Sequence, residues 1–83
     1  MEDTEITQEE LNEFYKRVGQ NVKEQRKKYN ITQMQLALAI NHNSVGHVAK
    51  AELNKFDKHF SLQHLYKIAK VLKIDMCELI KFK

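Results

Sequence analysis

The sequence predicts an all-α fold, a compact domain of five short helices. Three observations carry that prediction. The 83 residues include two Gly, no Pro and three Tyr, a composition suited to helices and poor in the turn residues of a β fold. Apolar residues recur three and four apart in successive segments, which marks one face of a helix each time. Capping residues stand at the heads of those segments, at Thr7, Thr32, Ser44, Ser61 and Asp75.

The first helix opens at Thr7-Gln8-Glu9-Glu10, a capping-box pattern with Thr at the N-cap and Glu at N3. Leu11, Phe14, Tyr15, Val18 and Val22 form its apolar face, and it runs to about Lys28. Gly19 interrupts it at a cost of up to ~1 kcal/mol relative to Ala. It marks either a join or the close approach of another backbone. Asn30 suits the left-handed position just past the helix end. Thr32-Gln33-Met34-Gln35 is a second capping-box pattern. It opens a short helix through Ile40, with Leu36, Ala37 and Ile40 inward. Asn41-His42-Asn43 breaks the chain. Ser44 then caps a third helix reaching about Leu53. Residues 54–60 read as a basic loop carrying two aromatics. Ser61 caps a fourth helix whose apolar face is Leu62, Leu65, Ile68, Ala69 and Leu72. Asp75-Met76-Cys77-Glu78 is a third capping-box pattern, opening a fifth helix with Leu79, Ile80 and Phe82.

The length allows one domain, since domains typically run to roughly 100–150 residues. Little room remains for a buried enzyme pocket beside the core, so a binding module is the better expectation. The longest apolar run, Leu36 to Ile40, is five residues, whereas a membrane-spanning helix needs about 20. The start, Met1-Glu2-Asp3-Thr4-Glu5, lacks the apolar stretch of a signal peptide. The single Cys77 rules out an internal disulfide and fits a reducing cytosol, so a cytoplasmic protein is expected.

The net charge of +3 hides a strong division. Residues 1–13 carry six acids and no base, a charge of −6, while residues 14–83 carry 14 Lys/Arg against five acids, a charge of +9. We divide the chain into an acidic arm, residues 1–10, and a basic domain, residues 11–83. A basic body suggests an anionic partner, nucleic acid first. Lysines and arginines as plain solvated surface are the bland alternative.

The second and third helices form two short rods joined by a tight turn. That arrangement presents the second rod to the DNA major groove while the first braces across the phosphates. Val22-x3-Arg26, Thr32-Gln33-x2-Leu36-Ala37, Val48 and Glu52 fall at its key points. Ser61-Leu62-x2-Leu65-x2-Ile68-Ala69-x2-Leu72-x-Ile74 and Glu78-Leu79 follow. Through these residues, 14–80 resemble the phage-repressor/Cro-type, XRE-like helix-turn-helix family, with its lambda-repressor-like DNA-binding domain. The C-terminal part looks most like small stand-alone regulators, such as restriction–modification controller proteins, which dimerise through the last helix.

The resemblance implies a DNA-binding transcriptional regulator of repressor type. A two-fold dimer would read a palindromic operator on double-stranded DNA. Gln33 would contact a phosphate, its alternative being an exposed first-turn residue. Arg26 and Glu52 match an internal ion pair of the family. From Gln33 to Glu52 is nineteen positions, one more than the family usually has. Placing the extra residue in Asn41-His42-Asn43 turns Val48 and Ala51 inward; without it, His47 would take the core position. The groove-facing set is then Ser44, Val45, Gly46, Ala49 and Lys50, with Asn43 and His47 flanking. No Arg or Gln stands among them. Lys50 suits guanine, Val45 a thymine methyl and Asn43 adenine; Val45 and Gly46 also read as ordinary packing. Lys55, Lys58 and His59 fall where the family often contacts the DNA backbone. Met76, Leu79, Ile80 and Phe82 form the expected dimer interface.

Other chemistry is weakly signalled. His42, His47, His59 and His64 contain no pair at i,i+3 or i,i+4, so no metal site is expected. Cys77 falls in a first helical turn, where a thiol pKa can be lowered, though a small packed residue is the simpler reading. No catalytic triad order, carboxylate pair or Gly-rich phosphate loop is evident, and neither catalysis nor a cofactor is expected. The rival to DNA binding is a protein-interaction module of antitoxin or anti-repressor type, supported by the weak polar content at Val45 and Gly46.

Overall fold

The computed structural model describes residues 5–40 and 45–82. Among them five α-helices follow in order: α1 Gln8–Lys28, α2 Gln33–Ala39, α3 Val45–Leu53, α4 Leu62–Leu72 and α5 Cys77–Ile80. A 3-10 turn, Lys55–Asp57, lies between α3 and α4. No described helix is long and apolar enough to cross a membrane.

Local chemistry sets the helix ends. The Thr7 hydroxyl accepts from the Glu10 N–H at 3.0 Å, so α1 begins inside the acidic arm and Gln8, Glu9 and Glu10 form its first turn. Those two carboxylates meet the positive end of the helix dipole, and Arg26, Lys27 and Lys28 meet the negative end. Past α1, Asn30 takes φ 57°. The Ile31 and Asn30 N–H groups donate back to the Arg26 and Lys27 carbonyls, the Schellman closure. Thr32 and Gln35 form a reciprocal capping box at α2. At α4 the box pairs Ser61 with an imidazole: Ser61 Oγ accepts from the His64 N–H, and His64 Nδ1 accepts from the Ser61 N–H.

The expected box at Asp75 is replaced by a tighter arrangement. Asp75 Oδ1 accepts from the N–H of Cys77, two residues on, at 2.9 Å. The Glu78 carboxylate turns to Lys81 at 2.8 Å instead of reaching back. The Cys77 N–H holds the Asp75 carboxyl below its usual range. The Cys77 thiol bonds the same carboxylate and is pushed up by it. A helix start therefore does not activate this thiol.

The core draws on every helix. Val18 and Val22 of α1 meet Leu36, Ala37, Ile40, Val48, Ala51, Leu65, Ile68, Ala69, Leu72 and Leu79. Leu36, Ile68, Leu79, Val22 and Val48 are fully buried, each contributing about 1.5–3 kcal/mol relative to exposure. Phe60 also enters the core, at 5% exposure, although its segment reads as a basic loop. Leu62, at the first position of α4, is 76% exposed and lies outside the apolar face assigned to it.

Gly19 lies against α3. A Cβ there would stand 2.5 Å from the Glu52 carbonyl oxygen and 2.6 Å from that of Ala51. Only a residue without a side chain allows the two helices so close. Of the two roles open to Gly19, the structure shows close approach, within an unbroken α1. Asn21, buried two residues along, donates its side-chain amide to the carbonyls of Leu79 and Lys81. The end of the chain is thereby tied to α1.

Candidate nucleic-acid interface

The inner side of α3 decides how its outer side is presented. Val48 and Ala51 are wholly buried and Glu52 nearly so. Arg26 of α1 grips Glu52 with two bonds, Nε to Oε2 at 2.8 Å and Nη2 to Oε1 at 3.1 Å. Arg26 Nη1 donates to the Ile31 carbonyl at 2.8 Å. One ion pair thus joins α1, the turn before α2 and the last turn of α3. Two fixed, parallel N–H···O bonds give it a direction as well as an attraction.

Gln33 completes this cluster. Its Nε2 donates to Glu52 Oε1 at 3.0 Å, so one amide hydrogen is engaged inside the protein and the side chain is half-buried. The residue expected to meet a phosphate is also a third partner of the buried carboxylate. A primary amide has a second hydrogen, and nothing in this bond occupies it.

The opposite side of α3 carries the exposed Lys50; Val45, in the first turn, is also exposed, and Gly46 and Ala49 are half-buried. His47 departs from its expected flanking place. Its ring lies 5.4 Å from that of His64, at the start of α4, and its Nε2 is buried. His47 therefore belongs to the seam between α3 and α4. Asn41, His42, Asn43 and Ser44 lie outside the described residues.

Lys55 and Lys58 are exposed on the segment that follows α3. Three residues of this segment have left-handed backbones: Asn54 at φ 54°, Phe56 at φ 53° and Asp57 at φ 57°. Asn accepts that region readily, whereas a bulky side chain costs roughly 1–2 kcal/mol there. The Phe56 ring is exposed, with Lys50 Nζ 5.7 Å from its centroid. His59, expected with the lysines at the DNA backbone, instead stacks on Tyr15 with ring centroids 3.8 Å apart and planes 5° from parallel. That stack holds the segment against α1. The Asn54 amide adds a long bond to the Asn12 carbonyl at 3.5 Å.

The apolar C-terminal set divides. Leu79 is fully buried and serves the core, so its side chain is not available to a second copy. Ile80 and Phe82 are exposed at 37% and 62%, and Met76 packs partly against the core. Phe82 lies 5.9 Å from Phe14. Among the described residues, no group of three or more His, Cys, Asp or Glu is placed to hold a metal.

Sequence reasoning missed three residues and one bond here. Asn21 breaks the apolar face of α1 one turn after Val18, which is a signal for a buried polar tether. Phe60 carries the signal of an aromatic next to a helix cap. The Gln33–Glu52 bond joins positions nineteen apart and leaves no mark in local pattern. Nor does a left-handed Phe56.

Two short helices, the second with one face packed and the other bare, define a helix-turn-helix protein of the DNA-binding class. Residues 22–79, more than half of the chain, match the family model described as Helix-turn-helix. The chain belongs to this XRE-type, lambda-repressor-like family of DNA-binding regulators. No curated protein and no solved structure matches the chain.

Proposed function

We propose that the protein is a dimeric transcriptional regulator that lays α3 in the major groove of a palindromic operator. The observation that carries this reading is the division of α3, with Val48, Ala51 and Glu52 buried, Lys50 exposed on the opposite side and Val45 exposed at the first turn. Lys50 would donate to guanine O6 and N7, and Val45 would meet a thymine methyl. Asn43 and Ser44, before α3, complete the set implied by the family resemblance. Gly46 would let the backbone close on the base edges. Lys55 and Lys58 would hold phosphates and set the register without reading sequence. Gln33 would offer its second amide hydrogen to a phosphate while the first stays on Glu52. A phosphate contact would then be braced by the same carboxylate that fixes α3.

Ile80 and Phe82, with the accessible part of Met76, supply the surface for the second copy. A two-fold pair sets two copies of α3 about one DNA turn, ~34 Å, apart.

Fluorescence anisotropy tests this on the DNA immediately upstream of the protein's own gene, beside a shuffled duplex, over a salt series. A specific autoregulator binds the natural fragment at least ~1,000-fold more tightly. Equal, steeply salt-dependent binding to both duplexes, followed by a random-sequence selection that enriches nothing, would leave only phosphate attraction. Absence of binding at low salt would defeat the reading.

A further inference from the structure

We propose that Phe56 is itself a DNA contact, laying its ring against deoxyribose at the rim of the groove that α3 occupies. The proposal rests on the reading that α3 faces DNA. Phe56 is 79% exposed, the most exposed large apolar side chain among the described residues. Its backbone, at φ 53° and ψ 38°, lies where Gly or Asn is the usual occupant and a bulky residue is a genuine outlier. The turn therefore holds a large apolar ring in a disfavoured conformation, and burial does not compensate for it.

The ring's neighbours identify what it meets. Lys50 Nζ stands 5.7 Å from the ring centroid, so the ring flanks the exposed face of α3. Lys55 precedes it, and Lys58 follows two residues later. An aromatic ring among three cations complements a chain in which anionic phosphates alternate with apolar sugar faces. The Lys55 and Lys58 ammonium groups take the phosphates, and the ring covers the sugar between them. The ring face also attracts the Lys50 ammonium, which makes Lys50 and Phe56 one composite contact. A deoxyribose under the ring would lose water that no side chain of the monomer displaces.

The chain contains no Trp, so Phe56→Trp places a single fluorophore at the proposed contact. The probes are the upstream duplex and a random-sequence duplex at low salt. Binding either duplex should shield the indole from acrylamide, with affinity near that of the parent protein. Phe56→Gly should weaken binding about tenfold, the loss expected for one aromatic contact with nucleic acid. Its salt slope should stay unchanged, because no cation is removed, and its melting temperature should not fall, because Gly suits the backbone. Lys55→Ala, which removes a phosphate contact, should instead lower the slope by about 0.9. Four results would overturn the proposal: unchanged affinity in Phe56→Gly; an indole equally quenched with and without DNA; a slope in Phe56→Gly reduced as far as in Lys55→Ala, which would make the ring act only by placing Lys55; or shielding that grows with protein concentration alone, which would point to a second copy. If the parent protein binds neither duplex, the underlying reading fails as well. Parent binding with an indifferent Phe56→Gly removes this inference alone.

Discussion

Glu52 is the residue on which most of the structure converges. The residue is 2% exposed, and its carboxylate is held by Arg26 and Gln33. Arg26→Met would leave that charge buried with one amide for company. Removing one partner of a buried pair costs about 3–5 kcal/mol, a large share of the ~5–15 kcal/mol that stabilises a typical domain. Urea unfolding should show the loss, and a change under about 1 kcal/mol would mean that water reaches the pair. Asp75 offers a milder test with a defined sign. Its carboxylate pushes the Cys77 thiol up, so less thiolate exists at pH 7.5 than in a free cysteine. Asp75→Asn should speed alkylation of Cys77 by iodoacetamide, and an unchanged rate would count against the bond. The carboxyl itself is lowered in the folded state. Its contribution to stability is therefore present above the ordinary Asp value of about 3.9 and is lost as pH falls through the lower, folded value.

Between elements, the contact of α1 with α3 is the least forgiving. Gly19→Ala should gain up to ~1 kcal/mol of helix propensity. Its Cβ would meet carbonyl oxygens 2.5 and 2.6 Å away, and overpacking costs typically ~1–3 kcal/mol even where side chains can move. Here the neighbours are backbone, so the clash should win, and thermal denaturation should show a lower midpoint. An equal or higher midpoint would mean that α3 slides away freely. At this scale periodicity is a good guide. The spacing that makes Val18, Val22, Leu36, Ala37 and Ile40 an inner face is the spacing that buries them. It misleads at ends. Leu62 continues the pattern of α4 but stands a turn before the core begins, while Phe60 leaves a loop to fill it. Leu79 looks like a sticky end and is core, because Asn21 draws the last residues onto α1. Of the candidate site, the exposure of Lys50 opposite the buried Val48 and Ala51 follows from periodicity. The displacement of His47 toward His64 and of His59 onto Tyr15 depends on ring contacts between separate elements, which no local pattern records.

For the whole molecule, charge is divided along the chain at −6 and +9, and the division falls within α1. Thr7 caps that helix, so deletion of residues 2–6 removes Glu2, Asp3 and Glu5 while leaving the cap in place. If the arm shields the basic body, this deletion should tighten binding to random duplex at low salt and lose its effect as salt rises. Equal affinity would make the arm plain solvated chain. A different property follows from the bare contact at Gly19. A joint made of backbone on backbone has no rotamer through which to yield. The C-terminal turn of α3 is its pivot, and the far tip of that helix, eight residues away, is only ~12 Å from it. A swing of a few degrees moves the tip by less than about an ångström. On the two-fold operator we propose, one base pair added between half-sites would shift the second site by about 3.4 Å and rotate it around the duplex. A stiff reader does not absorb that error. The compliance must come from the DNA, so a regulator built on this joint would tolerate altered spacing only where the intervening sequence bends and twists easily.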